Sequence, residues 1–226
     1  MADLLARRDG VPPEVAAEAA RAGQGHIGRA RRLAWDEEAR ARRNAIGELP
    51  TRLRSLGDCL QAAEDLVNQA SEEAAAATAE VNAAERAELE QARGFGSAGG
   101  RPRNALAALR ARDKQQSARL KRLQRDALDR VLTELTAYHR DVLAIQTGAV
   151  RPEEENALRG ARLVNAGWSA SLHRIADSQS PEHTVATIDA ILAARKSLEH
   201  GVPPRLVMAP SLFYTSDAHD AAGRVE

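Results

Sequence analysis

At 226 residues, 43% of them hydrophobic and 28% charged, the chain has the make-up of one or two water-soluble domains. Its 32 basic and 32 acidic residues cancel, so the mean charge predicts no affinity for nucleic acid or an anionic membrane. Nor is there an apolar run of about 18 residues to span a bilayer, or a basic-then-apolar leader. Aromatic residues make up 3%, and the single cysteine, Cys59, excludes an internal disulfide, so the expected setting is cytoplasmic. With β-branched and aromatic runs absent, the expected fold is all-α, its core made of Leu, Val, Ile and Ala on closely packed helices.

In chain order, Ala2 to Arg8 reads as the last turns of a helix begun upstream, since no capping residue precedes it. Pro12-Pro13-Glu14 starts a helix that runs to about Ala22, because proline is tolerated in a first turn. Gly23 and Gly25 are expected to end it by allowing positive φ. The next helix begins near His26 and either reaches Gly47 or breaks near Trp35, with Pro50 stopping whatever continues. From about Thr51, the spacing of Leu53, Leu56, Leu60, Ala63, Val67, Ala70, Ala74, Ala77, Val81 and Ala84 predicts one long amphipathic helix, kinked at Gly57.

Residues 94–102, glycine-rich, have a linker's composition. Beyond them Leu120, Leu123, Leu128, Val131, Leu132, Leu135, Tyr138, Val142 and Leu143 form a second long stripe ending at Gly148, and the two stripes face each other if the chain doubles back. A shorter segment carries Trp168, Leu172 and Ile175. Ser180-Pro181-Glu182 then supplies an N-cap, an N1 proline and a carboxylate for a helix through Leu198, closed by Gly201. From Met208 the periodicity lapses, and a frayed tail is expected over 209–226.

The neutral mean charge hides a dipole: nine acidic residues and one basic lie between Asp58 and Glu90, ten basic and one acidic between Arg93 and Arg125. A hairpin whose halves attract each other is favoured over a DNA-binding strip, because past Phe95 in its glycine-rich stretch the basic segment carries no aromatic for base stacking. Neutralising Arg119, Lys121, Arg122 and Arg125 together is then expected to lower stability more than DNA affinity. The six histidines and Cys59 show no metal-ligand spacing, so no metal is expected; the histidines are read as satisfied or exposed and Cys59 as a small core residue. No phosphate-cradling G-x-x-x-x-G-K-S/T, no G-x-S-x-G and no H-E-x-x-H occurs, so neither cofactor nor catalytic residue is assigned. The pairs Glu37-Glu38 and Glu72-Glu73 read as solvated faces.

Ala22 to Ala34, with Gly25 and Gly28 at the mouth of a helix and Arg29, Arg31 and Arg32 just inside it, resembles the sensor-2 turn in the lid of the AAA+ clamp-loader family. With Leu4 to Gly10, Gly57-Asp58-Cys59-Leu60 and Gln124 to Arg130, the resemblance is to the C-terminal part of bacterial DNA polymerase III delta-prime subunits, and it extends to about Met208. It implies that residues 1–34 finish a small helical lid and that 35–208 form a collar of about five helices, through which loader subunits are held in a ring. Leu60, Val67, Leu128, Val131, Leu132, Leu135, Tyr138 and Val142 are then collar core or subunit interface. Hydrolysing members carry an Arg where this chain has Gly28, so the expected role is a non-hydrolysing subunit. The implied partners are loader subunits of the delta and tau/gamma type, with DNA and the sliding clamp reached through the complex. The resemblance also implies a closing apolar helix, which the residues after Pro203-Pro204 do not suggest. Two alternatives are a homo-oligomeric helical scaffold and a helical DNA-binding module.

Overall fold

The computed structural model describes residues 1–92, 103–150 and 163–215, so the linker expected at 94–102 lies outside the described residues, as do 216–226 of the tail. The described residues form nine α-helices and no strand: α1 (Ala2–Arg7), α2 (Pro13–Ala22), α3 (Ile27–Trp35), α4 (Glu37–Arg52), α5 (Leu56–Ala92), α6 (Arg103–Gln146), α7 (Ser169–Ser178), α8 (Pro181–Glu199) and α9 (Pro204–Thr215). The fold is therefore all-α.

Three apolar clusters organise these helices. The first buries Leu5, Val11, Ala16, Ala19, Ala22, Ala30, Leu33, Ala34 and Ala39, closing α1 to α3 into a small unit that ends on the first turn of α4. Ala-rich facing surfaces permit this close approach: a Cβ on Gly23 would stand 2.8 Å from that of Ala30. Gly23 is thus needed for proximity and has an ordinary helical φ of −68°, whereas the left-handed turn predicted there falls on Gln24 and Gly25, at φ 47° and 88°.

The second cluster joins α5, α6, α8 and α9 around Cys59, Ala63, Leu66, Val67, Leu128, Leu132, Leu135, Ile191, Leu198, Met208 and Leu212. The third packs Tyr138 and Val142 of α6 against Leu163, Leu172 and Ile175, with Trp168 alongside. Val67, Leu128, Val131, Leu132, Leu135, Tyr138 and Val142 are all buried.

Several local expectations are corrected. The helix after His26 does break near Trp35, at Asp36, whose carboxylate accepts from the Ala39 N–H at 2.9 Å and so caps α4. Pro50 does not stop α4, which runs on to Arg52; near a C-terminus the missing N–H removes a single bond from a ladder that is already ending. α5 starts at Leu56 rather than Thr51: the Ser55 hydroxyl accepts from Asp58 N–H and the Asp58 carboxylate accepts from Arg54 N–H, both at 3.1 Å, a reciprocal cap that puts Gly57 in the first turn instead of at a kink. Cys59 is fully buried while Leu60 is 53% exposed and Leu56 57%, so Leu60 does not belong to the core.

The frayed tail expected from residue 209 is instead helix through Thr215, with Val207, Met208, Ser211, Leu212 and Thr215 buried against α5 and α8. Pro210 lies on the exposed side of α9, where it interrupts the ladder without disturbing the packed face.

Gly47 shows how tightly α4 meets α7's approach. The Trp168 ring lies 2.6 Å from where a Gly47 Cβ would be. Gly47→Ala is expected to lower stability by about 1–3 kcal/mol through overpacking. Chemical denaturation, with Trp168 fluorescence as the reporter, checks this.

Candidate functional site

The turn singled out by sequence is built as a helix entry. The His26 Nδ1 accepts from the Arg29 N–H at 3.2 Å, capping α3. A Cβ on Gly28 would come within 3.2 Å of that imidazole, so the glycine also makes room for the cap. Behind it the three arginines part company, as residues spread around one turn must. Arg31 grips Asp9 with two bonds, at 2.7 and 3.1 Å, and this hydrogen bonding holds the Asp9 carboxyl below its usual range. Arg32 meets Glu73 of α5 at 2.8 Å and Arg29 reaches Glu134 of α6. Each guanidinium is thus committed to a carboxylate of the same chain.

Arg29 leads into a constellation that the sequence did not disclose. Glu134 and Arg43, their side chains each 7% exposed, pair at 3.1 Å. Arg43 also donates to the side-chain carbonyl of Asn165 and lies with its guanidinium carbon 4.4 Å from the centre of the Trp168 ring. Asn165 in turn gives its backbone and side-chain N–H groups to Asp141 at 2.8 and 2.9 Å, and Val164 N–H adds a bond at 3.2 Å. Burial pushes the Arg43 pKa down and that of Asp141 up, against the bonds that favour their charged forms. The network ties α3, α4 and α6 to the residues just before α7. It is a joint: Glu134, on α6 of the bundle, holds the small α1–α3 unit through Arg29 and α4 through Arg43.

Glu73 repeats the arrangement nearer the surface, accepting from Arg32 and from Arg130 at 2.7 Å. Burial raises its pKa, and the two guanidiniums outweigh that and hold it below the ordinary range. Glu73 is therefore not the solvated acid expected from the sequence, although Glu72, Glu37 and Glu38 are exposed. Between α4 and α5 lies a cleft of about 230 Å³ with Ile46, Leu49 and Leu66 among its apolar lining and Arg42, Asp65 and Glu73 among its charged lining.

The acidic and basic halves pair as a hairpin. Arg119 meets Glu85 at 2.8 Å and the Asn82 side chain at 2.9 Å, Gln116 donates to the Asn82 carbonyl at 3.0 Å, and Arg86 meets Asp113 at 2.9 Å. Of the four cations whose joint neutralisation was expected to loosen the hairpin, Arg119 alone makes such a pair among the described residues; Lys121 and Arg122 are exposed.

Cys59 is buried in the bundle core with its Sγ 3.8 Å from the Leu212 carbonyl oxygen. No group of three or more His, Cys, Asp or Glu that could hold a metal occurs among the described residues. His139 departs from expectation: it is wholly buried, neither ring nitrogen has a hydrogen-bond partner among the described residues, and burial with the nearby His183 pushes its pKa down to about 3. No protein-family model, curated protein or solved structure matches the chain.

Proposed function

We propose that this chain is a non-hydrolysing, delta-prime-like subunit of the bacterial DNA polymerase III clamp loader, a helical piece that helps hold the loader ring together during DNA replication. The observation that carries this reading is the pairing, in the chain order the resemblance implies, of a small three-helix unit with a larger helical bundle, locked at Glu134. Two further features support it. Gly28 has no side chain with which to stabilise charge on a transferring phosphate. The closing apolar helix that the resemblance implies has a counterpart in α9.

In this reading the chain needs no cofactor and performs no chemistry of its own. It works in the cytoplasm; no described helix is long and apolar enough to cross a membrane. Its partners are delta-type and tau/gamma-type subunits, and it meets DNA and the sliding clamp within the complex.

Neighbouring subunits would bury apolar side chains that the fold leaves in water. Leu60 and Leu206 are 53% and 68% exposed, and the Glu64–Arg205 pair at 3.0 Å brings their helices together beside them. When the chain is mixed with purified delta and tau/gamma subunits, co-elution on size exclusion is expected. Leu60→Ala with Leu206→Ala is expected to weaken that co-elution about tenfold or more with little change in melting temperature. A folded chain that never co-elutes contradicts the proposal.

A further inference from the structure

The basic half of the hairpin carries more charge than the hairpin uses. Arg112 and Arg119 turn inward to Glu85. Arg110, Lys114, Lys121 and Arg125, at successive intervals of four, seven and four residues, fall within an arc of roughly 60° on α6, roughly opposite that inward face. Fifteen residues of helix make this a straight line about 22 Å long. Among the described residues none of the four has a carboxylate within ion-pair distance, and Arg110, Lys114 and Lys121 are exposed. The neighbouring acids are turned aside or engaged: Asp113 is held by Arg86, and Asp126 lies around the helix from the line.

We propose that this outer stripe of α6 binds the phosphate backbone of a nucleic-acid duplex, without reading its sequence. A row of cations along one helix, three of them exposed and Arg125 half-buried, complements a regular row of phosphates, and backbone contacts position a protein without specifying bases. The stripe has no aromatic side chain on which unpaired bases would stack, which favours a duplex over a single strand. A second copy of the chain is a poorer fit. The exposed acids of α5 (Asp58, Glu64, Asp65, Glu72, Glu80 and Glu88) spread over more than half the helix circumference, and of the three that do line up, Asp58, Asp65 and Glu72, the first already accepts from the Arg54 N–H. The inference stands on the charge geometry of α6 and does not depend on the loader reading.

Fluorescence anisotropy of the full chain with short labelled DNA and RNA duplexes of equal length, across a salt series, tests it. Four phosphate contacts are expected to give a log–log salt slope of about −3.6, hence roughly a hundredfold loss of affinity between about 50 and 200 mM salt. The tighter of the two duplexes identifies the source of the phosphates. Replacing Arg110, Lys114, Lys121 and Arg125 together with Gln is expected to bring the slope close to zero, and Lys121→Gln alone to reduce it by about 0.9. Arg119→Gln, on the inward face, is expected to lower the melting temperature and leave the slope unchanged. Absence of duplex binding at about 50 mM salt, or a slope untouched by the fourfold substitution, overturns the proposal. So does charge-dependent self-association that the fourfold variant abolishes while duplex binding is absent.

Discussion

Glu134→Ala is expected to cost about 3–5 kcal/mol of stability, the loss typical when one partner of a buried ion pair is removed. The cost is large because the carboxylate serves two cations. Arg43 would stay in the interior with its charge offset by Asn165, the Trp168 face and the carboxylate of Glu18, which makes no ion pair with it, and Arg29 would lose its hold across the joint. Glu134→Gln, which keeps an acceptor but no charge, is expected to fall between wild type and the alanine variant. Replacing the pair together, as Arg43→Met with Glu134→Leu, removes both charges at once and is expected to cost less than either single truncation. Urea denaturation measures all four proteins. Hydrogen exchange adds a local readout: amides of α3 should lose protection in Glu134→Ala before those in the α6 core, because Glu134 is the more deeply buried of the two carboxylates, with Glu73, that fasten the α1–α3 unit to the bundle.

The second large effect is acid sensitivity from His139. Its folded-state pKa of about 3 lies below the ordinary 6.5, so between those values the unfolded chain binds a proton that the folded chain refuses. Stability from keeping the imidazole neutral is therefore fully present above about pH 6.5 and is lost as the pH falls toward 3, by up to about 1.4 kcal/mol per unit. Asp141 acts in the opposite sense, since burial raises its pKa and protonation then favours the folded state. The carboxylates held low by arginines, Asp9, Glu73 and Glu85 among them, release their contributions only below the ordinary carboxylate range. His139→Leu isolates this contribution. The urea midpoint of wild type should fall between pH 7 and pH 5 while that of the variant stays nearly level, and the two curves should part most at the acid end. Parallel curves would show that His139 does not govern acid sensitivity in this window.

Much of the fold was legible because it rests on short-range signals. The Ser180 cap, the N1 prolines at 13 and 181 and the left-handed glycines at 148 and 201 each act within a few residues of chain. Misreadings came where a local signal was present but weaker than packing. Pro50 looks like a stop, yet it sits where one lost backbone bond is tolerated, and the periodicity expected to lapse at Met208 instead continues through Val207, Met208, Ser211, Leu212 and Thr215, past Pro210. Leu60 fits the apolar stripe by spacing, whereas the face of α5 that packs on α6 and α9 holds Cys59, Ala63, Val67 and Ala70 and leaves Leu60 outside.

The joint was beyond reach for a different reason. Arg43, Glu134 and Asn165 are separated by 91 residues or more from Arg43 to its partners, and no periodicity marks a polar residue as destined for the interior. One signal was available in retrospect: Gly47, mid-helix and without a turn to make, faces the indole of Trp168 that covers Arg43. The basic half of the hairpin was readable as charge but not as two faces, because only the packed geometry separates Arg112 and Arg119 from the outward line at Arg110, Lys114, Lys121 and Arg125.

Native mass spectrometry of this chain mixed with purified delta and tau/gamma subunits tests the assembly role most directly. A heteromeric complex containing one copy of the chain is the expected result. A chain that stays alone beside an assembled loader, or that forms a homodimer in preference to joining it, would contradict the account.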